Sequence, residues 1–367
     1  MSSSITYAFT ACMTALSLAG CGAGNGDTEK PAGVTHPLER ADVEAAMAAA
    51  KVPGLSIAVI DQCEISSVSY FGVADIETSE PVGPETLFEA ASLTKTIFSL
   101  IVNQLADEGV IDLDTRLSDT FAYPRIKDQE GYALLTPRII LGHRSGLPNW
   151  ASDPADEDTW GDIPFMSPPD TEFGYSGEAY QLLQAYVEDG TGKRLNTLFE
   201  ERLGAIMPMT ILSTPVEESM TAFGHDEEGG KEKGREMQIS PRAGAAFSGI
   251  SNARDYASFL SYLCSGGGVS IEARGEMLRP QSPTDDASIV WGLGWGVQSG
   301  NGDTVYFHWG DNGQFKAFTA FNPVTRDGVV YFANGYNGLK LIEQLAEPVV
   351  GDLNPTIGWL DYGRLED

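Results

Sequence analysis

The chain has 367 residues, enough for one large core or two sub-domains sharing a cleft, and its 42% hydrophobic and 20% charged content is that of a globular protein, not a disordered one. With 52 acidic against 23 basic side chains, the net charge is −29. A surface of that sign repels phosphate backbones and argues against nucleic acid as a partner, while it serves solubility and salt tolerance equally.

The run from Ile5 to Leu18 is apolar but too short to span a bilayer comfortably, and it reads as an export signal over residues 1–20. It ends in Leu18-Ala19-Gly20-Cys21, which resembles the bacterial lipoprotein cleavage box. No Lys or Arg precedes the run, and the alternative is a plain signal with Cys21 incidental. Gly22 to Pro31 looks like a flexible tether, assigned to 21–36. The expectation is an exported, periplasmic protein held at the membrane only through lipid on Cys21. Of the remaining cysteines, Cys63 and Cys264 share no spacing motif. Export permits a disulfide between them, but two independent buried thiols are expected.

Pro37 to Lys51 has helical spacing and stops at Pro53-Gly54. Leu55 to Ile60 and Ile65 to Val73 read as two strands of a hairpin turning at Asp61 to Glu64. From Ser92 to Asp107, Ile97, Leu100, Ile101 and Leu105 form one helical stripe, closed by Gly109. Thr136-Pro137 starts a further helix; Tyr180 to Asp189 and Asn196 to Leu203 continue the helical character. Glu227 to Glu236 is charged and Gly-rich, an exposed loop or lid. A helix begins at Ser251 to Asp255 and runs through Leu263, and Gly266-Gly267-Gly268 is a turn. Strands follow at Thr304 to Trp309, Phe315 to Phe321 and Val329 to Ala333, then a closing helix at Asn337 to Val350 and a tail at 352–367. Strands at both ends around a helical middle predict a mixed α+β fold. Its antiparallel sheet (37–91 and 245–351) is flanked by N- and C-terminal helices, with a mostly helical sub-domain, 92–244, inserted.

Ser92-Leu93-Thr94-Lys95 carries the chemistry. A serine hydroxyl is a poor nucleophile until its proton is removed. A lysine three residues on, at a helix start, lies on the same face. Partly desolvated, it loses its proton near neutral pH and serves as the base. The alternative is a capping serine followed by a solvated lysine. The four histidines have no metal-ligand spacing, Gly-x-Ser-x-Gly is absent, and the acids from Asp153 to Asp162 fit no calcium loop, so neither metal nor cofactor is expected. Trp291, Trp295 and Trp309 cluster in sequence near 308–310, as pocket walls or as core.

Glu89 to Lys95 resembles the nucleophile motif of the serine β-lactamase and penicillin-binding-protein superfamily, especially its class C and family VIII esterase branch. Further matches come in the family's order from Pro37 to Gly351. Ile140 to Pro148 resembles the turn after its second major helix, and Pro169 to Gly177 its Tyr-x-Asn element. Pro241 to Asp255 resembles the start of a later helix, and His308-Trp309-Gly310 its last motif, otherwise Lys-Thr-Gly or His-x-Gly. The resemblance implies Ser92 as nucleophile, with Lys95 and Tyr175 sharing the proton transfer and the ammonium lowering the phenol's pKa. It implies an oxyanion hole from the backbone N–H groups of Ser92 and Asp311, and substrate contacts from His308, Trp309, Gly310 and Gly177. For Tyr175 the alternative is a core aromatic; for His308 it is a strand-end histidine bonded to a backbone carbonyl. Gly177 stands where the family often has Asn, which binds a substrate amide, so ester turnover is favoured over amide or β-lactam turnover. His308 replaces a lysine; Lys316 either supplies the missing cation or is a solvated strand residue. The expected activity is hydrolysis of a small ester, or of a D-amino-acid-type amide or peptide, through an acyl-Ser92 intermediate; the alternatives are a β-lactamase or D,D-carboxypeptidase and, of another class, a non-catalytic penicillin-binding or sensor module.

Overall fold

Gln62 and Cys63 both adopt positive φ, 53° and 69°, the conformation a two-residue hairpin loop needs to match the twist of its strands. They join β1 (Gly54–Asp61) to β2 (Glu64–Asp75), which pair antiparallel. The computed structural model describes residues 38–365 except 155, 157, 159, 214, 215, 217–219, 232–241, 301 and 302. The signal, Cys21, the tether and residues 232–236 of the expected lid lie outside the described residues.

Next to β2 lies the short β3 (Glu80–Pro81), while β4 (Phe88–Ala91) and β5 (Gly249–Ser251) pair apart from the main sheet. The last third of the chain adds β6 (Ser282–Pro283), β7 (Ile289–Trp291), β8 (Gly296–Gly300), β9 (Asp303–Asp311), β10 (Lys316–Asn322) and β11 (Asp327–Ala333). The nine-stranded order is β3-β2-β1-β11-β10-β9-β8-β7-β6, antiparallel throughout. β1 sits between β2 and β11, so the N-terminal hairpin is joined to the C-terminal meander, as the strands at both ends of the sequence predict.

The sheet is buried on both faces, which β11 shows residue by residue. Val329, Tyr331 and Ala333 face one apolar layer, Val330 and Phe332 the other, the two-residue period of a strand. One layer is closed by α1 (Arg40–Ala50) through Val43, Met47 and Ala50. The other holds α2 (Thr94–Asp107), α3 (Pro137–Leu141), α4 (Gly177–Thr191), α5 (Leu195–Arg202) and α6 (Ala253–Cys264). α2 departs from its expected single stripe: every residue from Thr94 to Leu105 is buried. Its polar groups are satisfied inside the core, Thr96 by the Tyr256 hydroxyl at 2.6 Å and Gln104 by the Gly267 carbonyl at 2.8 Å, so the helix carries no dry unpaired cost at those positions.

Two expectations are corrected. Cys63 and Cys264 are not independent thiols but a disulfide with Cα atoms 5.5 Å apart, joining the β1–β2 turn to the end of α6 across 201 residues of sequence. The closing helix is broken. After α7 (Ile271–Leu278), a 3-10 turn (Gly338–Leu341) precedes α8 (Ile342–Leu345) and α9 (Glu347–Val350), whose second residue, Pro348, cannot continue a helix. The tail contains α10 (Asn354–Leu360), and Trp359 and Tyr362 turn back onto the end of β9.

Candidate active site

β4 ends on Ala91 at φ 47°. A left-handed backbone at a residue with a Cβ costs on the order of 1–3 kcal/mol; here it turns the chain from strand to helix at the candidate nucleophile. The turn is pinned by the Thr94 hydroxyl, which donates to the Ala91 carbonyl at 2.6 Å and accepts from the Gly249 N–H at 2.9 Å. Ser92 is half-buried and lies just before α2; Leu93, not Ser92, is the capping position. Its hydroxyl is therefore not spent on a cap.

Lys95 is in the first turn of α2 and wholly buried. Its Nζ lies 3.0 Å from Ser92 Oγ and donates to the Ala246 carbonyl at 2.7 Å. The rings of Tyr175, Tyr180 and Trp150 surround it, with centroids at 4.8, 5.6 and 6.0 Å. No carboxylate pairs with it among the described residues. Burial alone pushes its pKa well below the usual lysine range.

Tyr175 is brought to the same point. Its hydroxyl is buried close to that of Ser92 but makes no hydrogen bond of full geometry among the described residues. Burial raises its pKa well above the ordinary phenol value, with the neighbouring Ser92 hydroxyl pulling the other way. This corrects the expectation of a phenol acidified by an ammonium: the same desolvation that removes charge from Lys95 keeps Tyr175 protonated. His143 holds the tyrosine in place. At φ 54° its ring lies against that of Tyr175, centroids 4.3 Å apart, and its Nδ1 accepts from the Ser176 N–H at 3.1 Å. That bond puts the proton of the neutral ring on Nε2. Burial first, then Lys95 and His308, drive its pKa well down.

The last motif is arranged differently from expectation. The His308 ring lies 6.2 Å from that of Tyr175. It is wholly buried, its Nδ1 is 2.8 Å from the Trp309 carbonyl, and desolvation lowers its pKa to about 3. Trp309 is half-buried against Tyr175, centroids 5.0 Å apart. Gly310 is needed for close approach: a Cβ there would stand 2.5 Å from the Ala90 carbonyl. β9 thus runs directly beside Ala90 and Ala91, the two residues preceding Ser92. The Asp311 carboxylate accepts from Lys316, from the Tyr362 hydroxyl at 2.8 Å and from the Gly313 N–H at 2.9 Å. Lys316 is neither solvated nor a spare cation: it is 2% exposed and neutralised by that carboxylate.

Trp150 was not legible as a site residue. It fills the space in front of Gly177, where a Cβ would come within 2.4 Å of the indole. Its loop is anchored by Glu178, which accepts twice from Arg125, at 2.7 and 3.1 Å, and once from the Ala151 N–H at 3.0 Å. The tryptophan trio divides: Trp291 and Trp309 pack together with Trp359 from the tail, whereas Trp295 belongs to a separate cavity.

A family model described as Beta-lactamase matches residues 40–346. Penicillin-binding protein 4 of Amycolatopsis lactamdurans is 26% identical, covering 82% of this chain and 86% of that protein. The Unguisins hydrolase ungD' of Aspergillus campestris is 24% identical, covering 81% of this chain. The chain spans 62% of that hydrolase's length. Among solved structures, the octameric penicillin-binding protein homologue from Pyrococcus abyssi superposes with a TM-score of 0.70 at 20% identity, covering 89% of this chain and 78% of its own. The D-alanine carboxypeptidase AmpC from Burkholderia cenocepacia gives 0.65 at 20% identity, covering 80% and 92%. These likenesses bear on the fold. With more than three quarters of its length matched, the chain belongs to the Beta-lactamase family, whose members are in general serine hydrolases that work through an acyl-serine.

Proposed function

We propose that this chain is a serine hydrolase that passes through an acyl-Ser92 intermediate, with small esters as first substrates and D-amino-acid amides or peptides second. The observation that carries the reading is Lys95 Nζ at 3.0 Å from Ser92 Oγ, buried and, among the described residues, without a carboxylate. An amine kept neutral by its surroundings removes the serine proton as Oγ attacks the substrate carbonyl. The backbone N–H groups of Ser92 and Asp311 stabilise the oxyanion of the tetrahedral intermediate. On collapse, the leaving alcohol takes a proton from the Tyr175 hydroxyl, which the Lys95 ammonium then replaces. Water enters as the second nucleophile and hands its proton to Lys95, which passes it to Ser92 Oγ as the acyl–serine bond breaks, releasing the acid and restoring the neutral amine and the serine hydroxyl.

Ester preference is supported at Gly177. The position offers no side-chain amide to a substrate, and the Trp150 indole occupies the volume where one would lie. His308, buried and uncharged at neutral pH, supplies no fixed cation for a substrate carboxylate, and Lys316 is committed to Asp311. Export and lipid attachment at Cys21 belong to the same reading. No helix among the described residues is long and apolar enough to cross a membrane.

The test is mass spectrometry of the chain after exposure to short acyl esters, D-Ala peptides and β-lactams. An acyl adduct on Ser92, short-lived with esters and absent in Ser92→Ala, is expected. Full ester turnover by Ser92→Ala overturns the nucleophile assignment. An adduct that forms with penicillin and never releases product identifies a binding or sensor module instead.

A further inference from the structure

At the far end of β9 and β10 from Asp311 lies a cavity of about 580 Å³ that none of Ser92, Lys95 and Tyr175 lines. This volume is within the range of small-molecule sites. Leu263, Trp295 and Phe321 make part of its apolar wall, and Arg274, Arg279 and Arg326 its charged side. In a chain with 52 acidic and 23 basic side chains, no Asp or Glu lines it among the described residues. Arg279 is paired with Glu276 outside the cavity, at 2.8 Å. Arg274 and Arg326 form no ion pair among the described residues. Arg274 Nη1 donates to the Cys264 carbonyl at 3.0 Å, and Arg326 Nε contacts Cys63 Sγ at 3.1 Å. Both guanidiniums thus rest against the two ends of the disulfide and keep donors unused by any carboxylate. Trp295, 1% exposed, has an indole N–H with no partner among the described residues. An apolar volume bordered by two uncompensated cations, in a protein whose overall field is strongly negative, is a local inversion of charge that suits a ligand with one anionic head and an apolar body.

We propose that this cavity binds an amphipathic monocarboxylate, its head at Arg274 and Arg326 and its chain against Leu263, Trp295 and Phe321. The inference stands apart from the acyl-Ser92 reading, because it uses no residue of that site.

The probe is decanoate, titrated into the full chain below its micellar concentration by calorimetry, with acetate (head without chain) and decanol (chain without head) as comparisons. Decanoate is expected to bind at least about tenfold more tightly than either. Arg274→Gln combined with Arg326→Asn should bring decanoate to the level of decanol and leave decanol unchanged. Asn is chosen because residue 326 has φ 63°, which Asn tolerates, and a thermal melt checks that the variant is folded. Arg274→Lys with Arg326→Lys, which keeps the charge, should recover part of the binding. The Ser92→Ala chain should bind decanoate as the parent does. Equal affinity for decanoate and decanol, or decanoate binding untouched by the double arginine variant, overturns the proposal. So does decanoate binding lost in Ser92→Ala and kept in the arginine variant, which would move the ligand to the groove.

Discussion

Two lysines are buried at the same end of the sheet, and they are buried in opposite ways. Lys95, beside Ser92, is 0% exposed and has a hydroxyl, a carbonyl and three aromatic rings for company. Lys316, at the start of β10, is 2% exposed and sits on the Asp311 carboxylate. A buried charge needs a partner, or it gives up the charge. Lys316 is ion-paired and fastens the end of β9; Lys95 is driven toward its neutral form, which leaves its amine able to accept a proton. The comparison separates a lysine that holds structure from one available to chemistry, and it does so without reference to any relative.

The sharpest way to break it is to make both lysines methionine. Lys95→Met should lower kcat/KM for an ester by about 10²–10⁴-fold, the usual loss for a general base. It should leave the unfolding free energy within about 1 kcal/mol of the parent, since the apolar chain removes the cost of burying an amine and offsets the loss of its two hydrogen bonds. Lys316→Met should do the reverse. It leaves Asp311 without its cation and should cost about 2 kcal/mol of stability, with a smaller loss of rate through a displaced Asp311 N–H. Paired urea unfolding curves and ester kinetics decide it. If Lys95→Met destabilises more than Lys316→Met, Lys95 is structural.

Next in size is the disulfide, distant from both lysines. Reducing Cys63–Cys264, or replacing both by Ser, should cost about 2–5 kcal/mol. Because no partners are shared, the loss should add to that of either lysine variant within about 0.5 kcal/mol. A strongly non-additive result in the denaturation curves would couple the β1–β2 turn to the groove.

The pH dependence sharpens the contrast further. A lysine whose folded pKa is depressed stays neutral in the native state where the unfolded chain binds a proton. Lys95 therefore makes stability rise with pH between its lowered folded pKa and the unfolded value of 10.5. Lys95→Met should flatten that rise, as read from urea unfolding curves across the window. His308 acts in the same sense on the acid side. With a folded pKa of about 3 against 6.5 unfolded, it lowers the folding constant by about tenfold per unit as pH falls through that window. His308→Phe should flatten the acid limb measured by fluorescence, and an unchanged limb would show that the ring is not buried in solution.

The Ser92–Lys95 pair, the hairpin and the strands from 304 to 333 were legible because each rests on local spacing. Trp150, Trp359 and Tyr362 were not. The first is placed by Glu178 and Arg125, the others by a tail helix that folds back across the end of β9. The disulfide was missed for the same reason, since only the finished fold brings residues 201 apart together. The burial of His308 and the raised pKa of Tyr175 follow from packing on every side, which no single stretch of sequence encodes.

The smallest effect concerns what the groove accepts. Gly177 has no room for a side chain while Trp150 stands 2.4 Å from its missing Cβ, so Gly177→Asn alone should clash and lose activity on every substrate alike. In a Trp150→Ala background the space opens, and the Asn amide can hydrogen-bond a substrate amide that the parent leaves unpaired. One such neutral bond contributes about 0.5–1.5 kcal/mol. The ratio of amide to ester kcat/KM should therefore rise by roughly 2- to 10-fold in Gly177→Asn with Trp150→Ala, relative to Trp150→Ala alone. A ratio that stays constant would mean that position 177 does not discriminate amides from esters, with the buried and uncharged His308 the next position to change.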